Sequence, residues 1–425
     1  MADTHSEARR IGEVIRRARV LQGRSQAEVA RGLGYHQSKV SRLENGRGTE
    51  DVRVLREVAQ VLGIPLHSLG LTGVPEARTD EPETEDMRRR TFLAAAGMAA
   101  LATPMPSASA THLALVDSLL PGNLPESSGP AVAQTDLKER VTSVRRMFYT
   151  CDYVQLVAAL PGLVADLRQA VGVAPSSAEL SGLLATTYQT AVSLLLKQGE
   201  HGNAWLAVGR AMAEAERSGD PVVLASSVRV HAHVLVREKH AAQAVTLVRH
   251  TADQLAGAYD QRPPRYLAAL GLLLLRGATA ASGRGDRSAT KDFLAEAKEV
   301  ARYVNLDQPD SWANFSPTNV ALHELSAAVA FGDAGIALEI ARPLMRRHIP
   351  VPERRAALWV ESARAYNQQG RLPDAYQALR IAESCAEQDV RRPAVRELVA
   401  DLVARDRRRA LPELHHFSRQ LGVPA

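Results

Sequence analysis

A short polar run, Gln37-Ser38-Lys39-Val40-Ser41-Arg42, holds side chains suited to selective hydrogen bonding outside the protein. With Val40 and Leu43 turned inward at helical spacing, Gln37, Ser38, Ser41 and Arg42 are left on an outer face. Glutamine matches the donor–acceptor edge of adenine and arginine that of guanine, so this set suits base edges in a DNA major groove. Gln26, Lys39, Asn45 and Arg47 stand nearby and suit phosphates, which fix register without reading sequence. A second constellation is Trp312, Phe315, Asn319 and His323. Asn319 and His323 lie four residues apart on one helical face, and Trp312 and Phe315 add apolar surface beside them. Together they suit a bound ligand. The simpler reading is that Asn319 and His323 tie neighbouring helices while Trp312 and Phe315 are core, since buried polar residues between stacked helices are ordinary. Tyr188 and His231 are further, weaker ligand candidates.

Other chemistry has no foothold. There is no glycine-rich phosphate loop ending in Gly-Lys-Ser or Gly-Lys-Thr. His231 and His233 are two apart and diverge on a helix, and the adjacent His415 and His416 lack carboxylates at ligand spacing, so no metal site is expected. No serine or cysteine has the setting of an activated nucleophile. Catalysis and cofactors are not expected.

The elements that position the first set are short helices. Ile11, Ile15, Ala18 and Leu21 form one apolar stripe, and Gly23 stops it. Ser25 is a good N-cap for a helix from Gln26 to about Leu33, and Glu28 three residues on completes a capping box. Gly34 supplies a turn, and a third helix covers Gln37 to Glu44. Two more, Asp51 to Leu62 and a short one near Pro65 to Leu69, close a five-helix domain over residues 1–71.

From Asp136 the pattern changes to helical pairs with short breaks. Expected pairs are 136–150 with 152–171, 177–198 with 202–218, 221–236 with 240–257, 263–282 with 288–304, 316–331 with 334–347, and 353–369 with 372–388. A final stretch covers 391–421. Asp220 before Pro221, the repeated use of Pro352, and Gly370 punctuate the breaks. Each hairpin hides its apolar face only by stacking on the next, which predicts a solenoid over residues 136–425.

These two patterns carry a resemblance. Residues 26–45, with small Ala30, turn Gly34, and inner Val40 and Leu43, resemble the helix-turn-helix of the Xre/Cro/phage-repressor family. The resemblance implies that Gln37 and Ser38 carry base contacts and that Gln26 touches DNA backbone. It implies a lambda-repressor-like fold, and since one such domain reads a half-site, a homodimer. The pattern Tyr366, Gly370, Ala375, Ala378 is similar to the tetratricopeptide consensus; Leu196, Gly199, Ala204 and Val329, Gly332, Ala337 match it less closely. Residues 310–341 resemble a segment of actinobacterial regulators that join this helix-turn-helix to tetratricopeptide-like repeats, with Ser316 where those usually have Gly. That likeness implies that Asn319 holds a peptide backbone, and that the processes regulated are antibiotic production and development.

The chain of 425 residues is too long for one ordinary core, and its 4% aromatics suit an all-α protein. A formal charge of +5 suits a nucleic-acid partner but is mild for this length. Cys151 and Cys385 form no disulfide framework and read as two thiols of a reducing cytoplasm. Residues 72–135 read as an acidic linker followed by an Ala-rich connecting helix. Within them, "MRRRTFLAAAGMAALATP" at 87–104 resembles a twin-arginine export signal. Such signals work from a chain terminus, which a start at Met87 would provide. As a membrane span the run is too short, since Pro104 and Pro106 end it. The remaining reading is an internal helix whose apolar side, with Phe92, Leu93, Met98 and Leu101, packs on the solenoid or a second subunit.

The sequence therefore predicts an all-α, cytoplasmic, DNA-binding regulator with no membrane segment. Its solenoid senses a peptide or small-molecule effector, mediates dimerisation, or does both. A repeat scaffold localised to DNA and binding a partner protein is the alternative, and an exported repeat protein starting at Met87 a third.

Overall fold

Local signals set most helix starts. Ser25 Oγ accepts from the Glu28 amide at 3.2 Å while the Glu28 carboxylate accepts from the Ser25 amide at 2.6 Å, the reciprocal capping box read from the sequence. Asp220 Oδ1 accepts from Val222 N at 2.8 Å ahead of Pro221, and Gly370 turns at φ +72°. The computed structural model describes residues 2–21, 24–33, 35, 37–47, 52–62, 64, 69, 108–120, 132–257, 263–311 and 313–423. Among these the chain is all-α, with one isolated antiparallel bridge between Leu306 and Phe315. It divides into two compact units, Met1–Thr103 and Pro104–Ala425. Trp312, Gly34 and the run 87–104 lie outside the described residues, as does nearly all of the expected fifth helix of the first domain.

The first unit contains α1 (Ala2–Leu21), α2 (Gln26–Leu33), α3 (Gln37–Glu44) and α4 (Val52–Leu62). Ile11, Ile15, Val29, Ala30, Val40, Leu43, Val58 and Leu62 meet in one core, joined by Leu69. The crossing of α1 over the end of α3 is backbone against backbone. A Cβ on Gly12 would stand 2.7 Å from Glu44 O, and one on Gly46, at φ +74°, 2.7 Å from Ala8 O. Only hydrogen fits at either place.

The second unit begins with α5 (Ala108–Leu119) and continues as hairpins. These are α6 (Gln134–Tyr149) with α7 (Tyr153–Val173), α8 (Ala178–Gln198) with α9 (His201–Ser218), and α10 (Pro221–Arg237) with α11 (Ala241–Gly257). Then come α12 (Pro264–Gly283) with α13 (Arg287–Val300), α14 (Pro317–Ala330) with α15 (Ala334–Met345), and α16 (Pro352–Gln368) with α17 (Leu372–Cys385). Three short helices close it: α18 (Glu387–Val390), α19 (Pro393–Arg405) and α20 (Pro412–Gln420). Leu115 and Leu119 of α5 are buried in the same core as Leu156 and Leu160 of α7, so this helix is part of the repeat body. Ala204, Ala337 and Ala375, small residues at the expected positions, are fully buried. α13 stops at Val300, short of the expected residue 304, and residues 301–316 run irregularly to Ser316. Ser316 Oγ then caps α14 by accepting from Asn319 N at 3.1 Å. By length and composition α7 and α12 are each long and apolar enough to cross a membrane; the apolar window of α12 is 72% buried among its neighbours and that of α7 44%.

The hairpin array turns back until its first members touch its last. Lys197 on α8 bonds Glu353 on α16 and Asp389 on α18, each at 2.6 Å. Tyr153 at the head of α7 donates to Asp389 Oδ1 at 2.8 Å, and Arg392 donates to Asp389 Oδ2 at 3.2 Å. The backbone N–H of Val154 donates to Gln388. Asp389 is wholly buried, so its charge exists only because three donors face it. Burial raises the Asp389 and Glu353 carboxyls, but the Lys197 charge outweighs it and both are held below the usual carboxylate range. A carboxylate whose folded pKa is depressed adds stability above its unfolded pKa, near 4, and loses that contribution as pH falls through the folded value. Acid unfolding followed by circular dichroism should therefore begin below about pH 4 and shift to higher pH in Lys197→Met. Asp389→Ala should cost about 3–5 kcal/mol in urea unfolding, because it strands Arg392 and takes one of two carboxylates from Lys197.

Candidate functional site

On α3, Gln37, Ser38 and Arg42 are exposed and Ser41 is half-buried, while Val40, Leu43 and Glu44 face inward. At about 100° per residue, positions 37, 38, 41 and 42 span an arc of roughly 140° opposite that buried stripe. A helix with a polar arc of hydrogen-bonding side chains and a rigid back can lie in a major groove.

The residues read as phosphate contacts are mostly occupied within the domain. Gln26 Nε2 donates to Glu44 at 2.8 Å, and Arg19 Nη2 donates to the same carboxylate oxygen at 3.0 Å. Glu44 thus ties α1, α2 and α3 together. Burial raises its pKa, but hydrogen bonds from Arg19 and Gln26 and the Arg19 and Arg16 charges more than offset that, leaving it low. Lys39 Nζ sits 3.5 Å from the centre of the Tyr35 ring, and the Tyr35 hydroxyl is bonded to Glu57. Asn45 Nδ2 donates to Ser41 O at 2.8 Å and so finishes the carboxyl end of α3. Arg47 is exposed. The sequence pattern did not disclose the Glu44 clamp; a lone glutamate ending a recognition helix carries no signal until Arg19 and Gln26 are seen to face it.

In the second unit the residues expected at a ligand site are drawn into the packing. Phe315 is wholly buried, with its ring against Gly271 on α12, where an added Cβ would stand 2.1 Å from the ring. Asn319 is 2% exposed, and its amide N–H₂ donates to Asn314 O at 2.7 Å. His323 Nδ1 lies 3.2 Å from Thr279 Oγ1 on α12, and burial first, then the Arg276 and Arg354 charges, push the imidazole pKa down to about 3, so it is neutral. Tyr188 is 1% exposed and packed in the core. His231 is half-buried and meets Trp205 edge-on at 5.5 Å.

Instead, the second unit carries a cavity of about 130 Å³, lined from α6, α8, α10, α12 and α16. Its cations are Arg145, Lys197, Arg229, Arg276 and Arg354, its carboxylate is Glu353, and Gln189, Thr190, Ser193, Ser226 and His233 add polar groups. Lys197 is committed to Glu353 and Asp389, and Arg354 lies 3.3 Å from Glu353. Among the described residues Arg276 Nε is buried without a hydrogen-bond partner. Burial and repulsion from Arg229, Arg237 and Arg354 push the Arg276 pKa down to about 9, and burial with the Arg145 and Arg354 charges lowers Arg229. Burial raises the Tyr149 phenol, yet the surrounding Arg145, Arg229 and Arg354 charges pull it below its ordinary value. The cavity is strongly positive. Its signal in the sequence is a polar stripe at helical spacing along otherwise apolar helices: 186, 189/190, 193 and 197 on α8, and 226, 229 and 233 on α10.

The first unit, with its capped α2 and outward α3, carries a helix-turn-helix domain, and it shares a chain with a body of helical hairpins. Residues 15–69 match the family model described as "Helix-turn-helix". No curated protein matches the chain. Two chains of solved structure match; one is Bacillus thuringiensis PlcR in complex with the peptide PapR7 and DNA, at 12% identity over 97% of this chain and 99% of that one, with a TM-score of 0.29.

Glu44→Ala should cost about 2–3 kcal/mol through the loss of charge-assisted hydrogen bonds, read as faster amide exchange in α1–α3 of the full chain. Gly271→Ala should evict the Phe315 ring and cost about 1–3 kcal/mol, seen as a lower urea midpoint for the second unit.

Proposed function

We propose that the protein is a sequence-specific DNA-binding transcriptional regulator of the cytoplasm, acting as a homodimer, whose helical-repeat unit receives an effector. The observation that carries this reading is the helix-turn-helix match over residues 15–69, with α3 presenting Gln37, Ser38, Ser41 and Arg42 outward. Gln37 and Arg42 read bases, Ser38 and Ser41 assist, and Arg47 meets phosphate. Gln26, Lys39 and Asn45 set the pose of the reading helix and touch the DNA backbone from its flanks. A half-site reader gains specificity by pairing, and an effector shifts the population between dimers whose heads match the operator spacing and dimers whose heads do not. The cavity among the repeats supports a small effector over a protein partner, because a small recess lined from five helices holds a small ligand better than a flat protein face.

A DNA selection with the full chain, followed by titration of the recovered site, tests the reading. Gln37→Ala and Arg42→Ala should each weaken the selected site by about 1–3 kcal/mol and relax preference at one base position, with circular dichroism unchanged. Arg47→Ala should weaken all sequences alike and reduce the salt slope by about 1. A chain that selects no sequence would overturn the assignment.

A further inference from the structure

The cavity in the second unit has a charge imbalance that the fold itself does not use. Two of its cations, Lys197 and Arg354, have carboxylate partners. Arg229 and Arg276 have no hydrogen-bonded or ion-paired partner among the described residues, and Arg276 Nε is buried. They come from different hairpins, α10 and α12, yet line the same recess. Two half-buried guanidiniums lining one recess repel each other, so a fold selected for stability alone would place apolar side chains there. His233, also in the lining and held neutral by burial, can offer a ring N–H to an anion without neutralising the guanidiniums, whereas the hydrogens of Ser226 and Gln189 are already donated to Val222 O, Val223 O and Ser227 Oγ. Guanidinium forks match planar or tetrahedral oxyanions in pairs of parallel hydrogen bonds. The volume, about 130 Å³, is near that of an engineered cavity that takes up benzene, so the occupant is small.

We propose that this cavity is the binding site for a small molecule carrying a multivalent oxyanion, a phosphate ester or a dicarboxylate, held between Arg229 and Arg276. The assignment rests on the effector-receiving reading of the repeat unit and gives that effector its chemical class. The anion supplies the counter-charge missing between α10 and α12 and draws the two hairpins together.

The test uses the full chain, with inorganic phosphate, pyrophosphate and malonate as probes and sodium chloride at matched ionic strength as control. Thermal unfolding followed by circular dichroism should rise by roughly 5 °C for at least one oxyanion at saturation, well beyond the chloride control. Which probe acts distinguishes a phosphate from a carboxylate ligand. Arg276→Met and Arg229→Met should each remove the oxyanion-specific rise while leaving the anion-free melting temperature unchanged or higher, since a repelling charge has gone. Arg302→Met, which removes an equal charge from the exposed Arg302–Glu299 pair outside the cavity, should keep the rise. An equal response to chloride, or a rise that survives in both cavity variants, overturns the proposal. So does a fall in anion-free melting temperature in both variants, which would make the arginines structural. Operator affinity is measured with and without the active probe. A site that binds the anion while DNA affinity stays fixed leaves this inference standing and removes the effector reading. A chain that binds the anion but no DNA removes only the DNA assignment.

Discussion

The second unit depends on one buried ionic knot. Lys197 sits between Glu353 and Asp389, partners 156 and 192 residues away in the chain. Stacking alone would let successive hairpins continue as an open spiral, because each needs only its neighbour. The ammonium supplies what nearest-neighbour packing lacks, a bond between the beginning and the end of the array. Desolvation makes such a bond intolerant of vacancy: any of the three groups left alone in that interior is a bare charge. Tyr153 and Arg392 complete the shell around Asp389, and the Cys151 thiol beside it is pushed up to about 12, chiefly by burial. The thiol is therefore a packed group and not a reactive one.

Closure changes what the inner helices can do. In an open spiral the polar stripe of α8 and α10 would be a wet groove, and its arginines would cost little. With α16 brought across, the same residues line a recess in which Arg276 and Arg229 feel each other and Tyr149 feels both Arg145 and Arg354. His233 in the cavity and His323 on α14 are driven neutral by burial and nearby arginine charges, so the cavity keeps its histidine as an uncharged hydrogen-bonding group across the physiological range.

Signals confined to a few neighbouring residues were legible in the sequence. The Ser25–Glu28 box, the inward Val40 and Leu43, the Asp220 cap before Pro221 and the hairpin breaks are local, and the structure repeats them. The cavity was not legible, because it is assembled from five helices brought together by contacts between distant residues. Asn319 illustrates the difference. Its spacing from His323 was visible, but whether its amide faced a ligand or a carbonyl five residues back depended on the irregular course of residues 301–316. Phe315 could be read as core or as an offered aromatic; Gly271, more than forty residues earlier, leaves room for its ring, and it is core.

The glycine crossing of α1 on the end of α3 bears on how freely the outer face of α3 can vary. Because Gly12 and Gly46 bring main chain against main chain, the pose of α3 is fixed by atoms that every residue type shares. Glu44 adds its clamp from the buried side of the helix. The lettering on the outer arc is thereby uncoupled from the mount that holds it. Exchanges at positions 37, 38, 41 and 42 can change the chemistry of the outer arc without reopening the question of where the helix sits. New outer surfaces are then reachable one substitution at a time, each on an already stable frame.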